Sequence, residues 1–313
     1  MSDLSVIIPA RNEQFLQPTI DSVLSASRGD TEVIVILDGY SPDPPLREHH
    51  RLRVISLDDS IGQRAATNEG VRASSAKYVM KLDAHCKMAN GFDMALAEDC
   101  DYLWTVVPRM YSLEAFRWVC DGCKYSAGQG PRPQACAACS GTEFSQRIVW
   151  HHHKPVDYMW FDPDLRIHYF DSIGLKPYGG DKKKYAHKFR SWAKGEITDV
   201  LCGIGACFFM HRERYWELGG MDEQHGSWGQ MAVEVALKAW LSGGRHVVNK
   251  GTWFAHMFRT QAGFLWPYEN PSSAQERARE YSRDLWLHEK WSGQKRSLQQ
   301  VIDKFAPLPG WQS

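Results

Sequence analysis

The chain has 313 residues, enough for one large α/β domain with elaborations and a well-buried core. Lys plus Arg and Asp plus Glu both number 37, so the formal net charge is zero and no whole-molecule field draws the protein to nucleic acid or to a membrane; any polyanion contact must be local. With no basic-then-apolar leader pattern and no apolar run near the roughly 18 residues of a membrane span, a cytoplasmic setting without a membrane partner is expected, where eight cysteines read as metal ligands or free thiols before disulfides.

Residues 4–9, 33–37, 52–57 and 78–82 are short, apolar and β-branched, the pattern of strands buried on both faces, and helical periodicity fills 17–27 and 63–74 between them. This alternation predicts an α/β fold with a mostly parallel sheet, right-handed crossovers and helices on both faces, its ligands beyond the carboxyl ends of the strands. Those ends carry Ala10 to Glu13, Asp38-Gly39 and Asp83-Ala84-His85. A further strand is expected over 102–108, after which the alternation lapses for almost a hundred residues. Regular structure returns with a small-residue strand at 203–211, a turn over Tyr215 to Gly220, a helix over about 229–242, two closing strands within 245–258 and two amphipathic helices within 272–305. The expected division is a main domain from 1–110 and 197–265, an inserted segment 111–196, and a C-terminal helical segment 266–313.

Asp83 and His85, spaced i, i+2 just past a strand, can converge on one cation, and a carboxylate with an imidazole suits manganese or a similar ion better than calcium. A solvated aspartate beside a packed histidine would give the same letters. Cys120-x-x-Cys123 followed after twelve residues by Cys136-x-x-Cys139 is the spacing of a four-thiolate structural zinc ribbon, with two disulfides as the alternative. Between 176 and 194, Lys182, Lys183, Lys184, Lys188, Arg190 and Lys194 interleave with Tyr178, Tyr185, Phe189 and Trp192. Charges for phosphates alternating with rings for bases suit a nucleic-acid contact, and equally a loop over a diphosphate or a solvated basic surface. His151, His152 and His153 are adjacent and cannot all face one ion; Cys86, Cys100, Cys202 and Cys207 read as buried small apolar groups. Neither a Walker sequence nor Gly-x-Gly-x-x-Gly occurs, which disfavours kinases and dehydrogenases.

The series Val6-Ile7-Ile8-Pro9-Ala10-Arg11-Asn12-Glu13, Asp38, Gly62 to Gly70 and Leu82-Asp83-Ala84-His85-Cys86 resembles the family 2-like GT-A glycosyltransferases that include the polypeptide N-acetylgalactosaminyltransferases, which carry Asp-x-His where most relatives carry Asp-x-Asp. The resemblance spans roughly 4–108 and 200–260 and implies the GT-A fold. It implies a third metal ligand in Ala255-His256-Met257-Phe258-Arg259, so that Asp83, His85 and His256 would hold Mn2+ against the diphosphate of a UDP-sugar. Pro9, Ala10, Asn12, Glu13 and Asp38, with Arg64 nearby, would line the nucleoside pocket, and Trp228 and Arg259 would also border the donor.

The family's Trp-Gly-Gly-Glu-Asn holds the sugar through its polar pair, whereas this chain reads Trp228-Gly229-Gln230-Met231-Ala232, leaving Glu234 one turn on as a candidate cleft carboxylate or as a solvent-facing helix glutamate. Front-face retention, or inversion with Glu234 as base, are both compatible with these residues. The polypeptide enzymes usually carry a membrane anchor and a lectin domain, and neither is expected of this chain. A zinc ribbon beside a basic aromatic stretch is instead similar to virus-encoded glycosyltransferases acting on hydroxymethylated pyrimidines. The expected activity is transfer of GalNAc, Glc or a related sugar to 5-hydroxymethylcytosine in duplex DNA. A protein Ser/Thr or glycan acceptor, and an inactive GT-A-like binding module, are the alternatives.

Overall fold

The computed structural model describes residues 2–98, 100–155, 157–169, 194–259, 267–269 and 272–311; the basic aromatic run from Tyr178 to Trp192 lies outside them. The N-terminal half alternates as its apolar runs dictate: β1 (Leu4–Ala10), α1 (Leu16–Ala26), β2 (Thr31–Asp38), β3 (Leu52–Leu57), α2 (Gln63–Ala73) and β4 (Tyr78–Leu82). The four strands are parallel in the order β4-β1-β2-β3, with Val6 opposite Val33 and Ile8 opposite Val35. Every residue of β1 is buried because both its faces are covered. Val6 and Ile8 pack with Ile20 and Val23 of α1, while Ile7 turns to the other side with Ala66 and Val71 of α2. Helix α2 comes so close that a Cβ on Gly70 would stand 2.3 Å from Ile7 Cγ2, which fixes glycine there.

Beyond β4 the elements are β5 (Cys86–Met88), α3 (Phe92–Glu98), β6 (Trp104–Cys120), β7 (Ser126–Ala127), β8 (Phe144–Pro155), β9 (Met159–Phe161), β10 (Ile167–Tyr169), β11 (Ile197–Asp199), β12 (Cys207–His211), α4 (Arg212–Glu217), α5 (Met231–Leu241), β13 (Arg245–His256), α6 (Ser272–Leu287) and α7 (Leu298–Phe305). The main sheet runs β11-β13-β6-β12-β4-β1-β2-β3. It is mixed, which corrects the expectation of a mostly parallel sheet: β12 is antiparallel to both β4 and β6, and β11 and β5 are antiparallel to β13. The physical reason is that β12 slots between β6 and β4 and is entered from the end of the sheet where those strands finish. Two reversals cancel across β12, so β6 and its parallel neighbour β13 again point the same way as β1 and β4.

Strand β6 leaves the sheet midway and pairs with β8 as a long antiparallel ribbon, Leu113 opposite His152 and Cys120 opposite Phe144. The boundary expected at 110/111 therefore falls inside one continuous strand. The segment 245–258 is one strand with a register shift between Asn249 and Trp253, not two. The C-terminal helices are not a separate appendage: Trp286, Val301, Ile302 and Phe305 bury against Leu237 and Trp240 of α5. Helix α7 begins with a capping box in which Ser297 and Gln300 satisfy each other's backbone amides. Among the described residues, no helix is long and apolar enough to cross a membrane.

Candidate active site

Three strand ends bring Asp83, His85 and His256 together. Asp83 follows the carboxyl end of β4, His85 precedes β5, and His256 closes β13, where it pairs with Cys86. One ligand atom from each lies within 4.8 Å of the others. His85 Nε2 stands 3.1 Å from His256 Nε2, and Asp83 Oδ2 stands 3.3 Å from His256 Nε2. On the far side of the ring, His85 Nδ1 is 2.9 Å from Glu13 Oε2. A carboxylate only accepts, so the proton sits on Nδ1 and the Nε2 lone pair faces the cleft, the arrangement a metal-binding imidazole requires. Glu13 is held in turn by the Arg259 guanidinium and by the Phe15 amide at 3.1 Å.

The electrostatics put Asp83 and His256 in their ligating states. Burial pushes the Asp83 carboxyl up, but the Lys81 ammonium, His256 and His85 together hold it well below the usual carboxylate range. Burial pushes His256 down to about 4 against the pull of Asp83, so it is neutral at pH 7. For Glu13, burial is outweighed by His85 and Arg259, and its carboxyl is lowered. Lys81 Nζ, buried beneath the site, donates to Asp83 and, at 2.8 Å, to the Gly205 carbonyl; Gln63 Nε2 donates to Asp83 Oδ1 at 2.8 Å.

The cluster forms the floor of a cavity of about 690 Å³, within the ~300–1,000 Å³ range of small-molecule sites. Pro9, Ala10, Glu13, Asp38, Trp228 and Arg259 line it, as do Met231 and Ala232. Its far wall comes from the inserted segment: Met159 of β9 and Arg166, Ile167, His168 and Tyr169 around β10.

Three expected site residues are placed differently. Glu234 does not face the cleft: it is fully buried, paired with Arg64 at 2.8 Å and Lys238 at 2.9 Å, and it accepts the Asp222 amide at 2.6 Å. Helix α5 turns its face with Met231 and Ala232 to the cavity and so carries Glu234 behind the wall. Arg64 is buried with it, donating to the carbonyls of Gly226 at 3.2 Å and Gly229 at 2.6 Å, and braces the loop that presents Trp228 instead of lining the pocket. Asn12, with φ of 52°, turns its side chain to the Pro267 carbonyl at 3.2 Å and is not among the lining residues. Asp38 does border the cavity, but its oxygens accept from Ser60 Oγ at 2.8 Å and from the amides of Ile61 and Gly62 at 2.6 and 3.1 Å; it shapes the loop entering α2.

Residues 5–111 match the family described as Glycosyl transferase family 2. The chain is 31% identical to mouse polypeptide N-acetylgalactosaminyltransferase 10, across 92% of this chain and 43% of that protein. It is 24% identical to the putative polypeptide N-acetylgalactosaminyltransferase 13 of Drosophila melanogaster, across 92% of this chain and 48% of that one. A crystal structure of GalNAc-T7 with UDP, GalNAc and Mn2+ superposes with a TM-score of 0.60 at 20% identity, covering 91% of this chain and 49% of that one. The chain thus spans about half the length of these relatives. Its fold is that of the GT-A glycosyltransferases, and the chain resembles the catalytic domains of the polypeptide N-acetylgalactosaminyltransferases.

Lys81 and Gln63 are parts of the site that motif reading missed. Lys81 had a usable signal, since a residue two before Asp83 in a strand shares its face. Arg166, His168 and Tyr169 had none, because β9 and β10 are only three residues long.

Proposed function

We propose that this chain is a metal-dependent glycosyltransferase that moves a sugar from a UDP-sugar to a hydroxyl acceptor. The observation that carries the reading is the convergence of Asp83, ionised, and of two imidazole Nε2 atoms 3.1 Å apart at the floor of a nucleotide-sized cavity. The donor set fits a divalent ion such as Mn2+: one carboxylate and two imidazoles, one with its tautomer set by Glu13. Bound there, such an ion would supply neutralisation of the charge that develops on the diphosphate as the sugar departs. The protein's own part is positional. Glu13 orients His85, Lys81 and Gln63 fix the Asp83 carboxylate, and Arg64 braces the Trp228 loop. Glu234 is removed as a base, so inversion through it is not part of the proposal.

For the acceptor, the reading is a hydroxymethylated pyrimidine in duplex DNA, supported by the alternation of Lys182, Lys183, Lys184, Lys188 and Arg190 with Tyr185, Phe189 and Trp192 in the sequence. The second reading, a protein Ser/Thr hydroxyl, is favoured by the names of the relatives. The deciding experiment incubates the protein with mixed UDP-sugars, Mn2+ and either hydroxymethylated duplex DNA or a Ser/Thr-rich peptide, with mass spectrometry of both. A hexose- or N-acetylhexosamine-sized increment on the DNA is expected. An increment on the peptide alone would replace the acceptor, and no transfer or UDP-sugar hydrolysis under any condition would remove the enzymatic reading. Asp83→Asn is expected to lower the rate on the order of 10³-fold, the scale of losing one transition-state stabiliser; an unchanged rate would remove the metal assignment.

A further inference from the structure

At the far end of the β6–β8 ribbon two knuckles face each other, and they are built alike. Cys120 and Cys136 each begin a tight turn in which the amide of the fourth residue on, Lys124 or Ser140, donates back to the cysteine carbonyl at 2.9 or 2.8 Å. In both turns that fourth residue has positive φ, 63° for Lys124 and 60° for Ser140. Each turn thereby aims its two thiols inward at those of the other. Cys120 Sγ lies 3.6 Å from Cys139 Sγ and Cys123 Sγ 3.5 Å from Cys136 Sγ, and all four fall within 4.8 Å of one another. Disulfide sulfurs would stand about 2.05 Å apart. Thiolates at ~2.3 Å from a tetrahedral zinc stand about 3.8 Å apart, which matches the contacts across the knuckles.

We propose that Cys120, Cys123, Cys136 and Cys139 close around one structural Zn2+ that folds the ribbon tip and takes no part in sugar transfer. The inference stands on this geometry and does not depend on the glycosyltransferase reading. Four soft thiolates select zinc over manganese or magnesium, and a closed tetrahedron leaves no position for a substrate or reactive water. The tip needs such a centre. Its buried apolar set is Cys120, Cys136 and Phe144, with Trp118 against them, and β7 is two residues long. A core of that size cannot offset the ordering of the Ser126 to Pro133 loop, so the free energy of metal binding is the free energy of folding the tip. The Ala138 amide points at Cys136 Sγ from 3.4 Å, and a Cβ on Gly141 would come within 3.4 Å of Cys139 Sγ, so the backbone closes tightly around the sulfurs.

The site is also separate from the donor cluster. Cys120 lies eight residues along β6 from Ser112, the partner of His256, roughly 26 Å of extended strand.

The test is elemental analysis of the full chain purified under reducing conditions without chelator or added metal. One zinc per chain is expected, unchanged by Asp83→Asn and by Cys100→Ser, and lost in Cys120→Ser with Cys136→Ser. If the double variant is insoluble, the wild-type protein still decides: titration of its thiols with a mercurial should release one zinc, and Co2+ exchanged into the site should show the charge-transfer and d–d bands of a tetrahedral tetrathiolate. A protein without zinc, zinc that survives the double substitution, or four reactive thiols in place of eight in chain purified without reductant and then denatured would each overturn the proposal.

Discussion

Glu13 and Glu234 are both buried carboxylates, and each faces an arginine and a histidine: Arg259 and His85 in one case, Arg64 and, at 3.8 Å, His225 in the other. Glu234 has Lys238 in addition, and the two networks end in different places. Beyond Glu13, His85 keeps a second nitrogen turned into the cavity towards Asp83 and His256. Around Glu234, Arg64 and Lys238 spend their remaining donors on the carbonyls of Gly226, Gly229 and Gly220, so the network ends inside the protein. Burial and charge do not therefore mark a functional carboxylate. What marks it is a partner with a valence left open in a cavity.

The sharpest way to break that contrast is Glu234→Gln. It leaves Arg64 and Lys238 with an uncompensated buried charge, so a stability loss of about 3–5 kcal/mol is expected in urea unfolding, with Mn2+ affinity of the remaining folded protein close to wild type. A stable variant that had lost the metal would invert the assignment. Glu13→Gln should do the opposite. It disturbs the proton on His85 Nδ1 and should weaken Mn2+ binding about 10–100-fold by calorimetry, while moving the unfolding midpoint less than the Glu234 substitution does.

A smaller effect is read by pH. Burial raises the Glu234 carboxyl, but Lys238 and Arg64 outweigh it and bring it to about 2, against 4.5 for the free group. A depressed carboxylate stabilises the fold above the unfolded value, and that contribution is lost as pH falls from about 4.5 towards 2. His246, pushed by burial down to about 3 from 6.5, acts earlier: the unfolded chain takes up its proton first, so stability declines as pH drops from 6.5 towards 3. Thermal melts should show a first loss beginning near pH 6.5 and a second below about 4.5. The second should be flattened in Glu234→Gln. A melt insensitive to pH across both windows would contradict the burial of these groups.

The parallel half of the sheet was legible because β1, β2 and β4 are apolar on both faces and their helices repeat with the right period. Asp83, His85 and His256 were legible as letters, through spacing past a strand and family resemblance. The mixed half was not: β12 is five residues long, and direction within a sheet leaves no trace in composition. Glu234 was misread because α5 is buried all round, so its period carried no information about which face meets the cavity. Arg64 was misread for another reason: its partner, in a buried ion pair between α2 and α5, lies 170 residues away.

Lys81 has a consequence for how ligands arrive. It is a resident cation that already cancels the charge of Asp83, while Arg259 cancels that of Glu13 and the imidazole of His256 is neutral. On the proposed reading, a bare divalent ion would meet a floor whose formal charges largely cancel, and would be held by coordination to Asp83 and the two imidazoles. A diphosphate would gain from that floor only the charge the ion brings, with Arg11, Arg166 and Arg279 standing on the walls. Each supplies what the other lacks, so their binding free energies are thermodynamically coupled, and by reciprocity the nucleotide tightens the ion as much as the ion tightens the nucleotide.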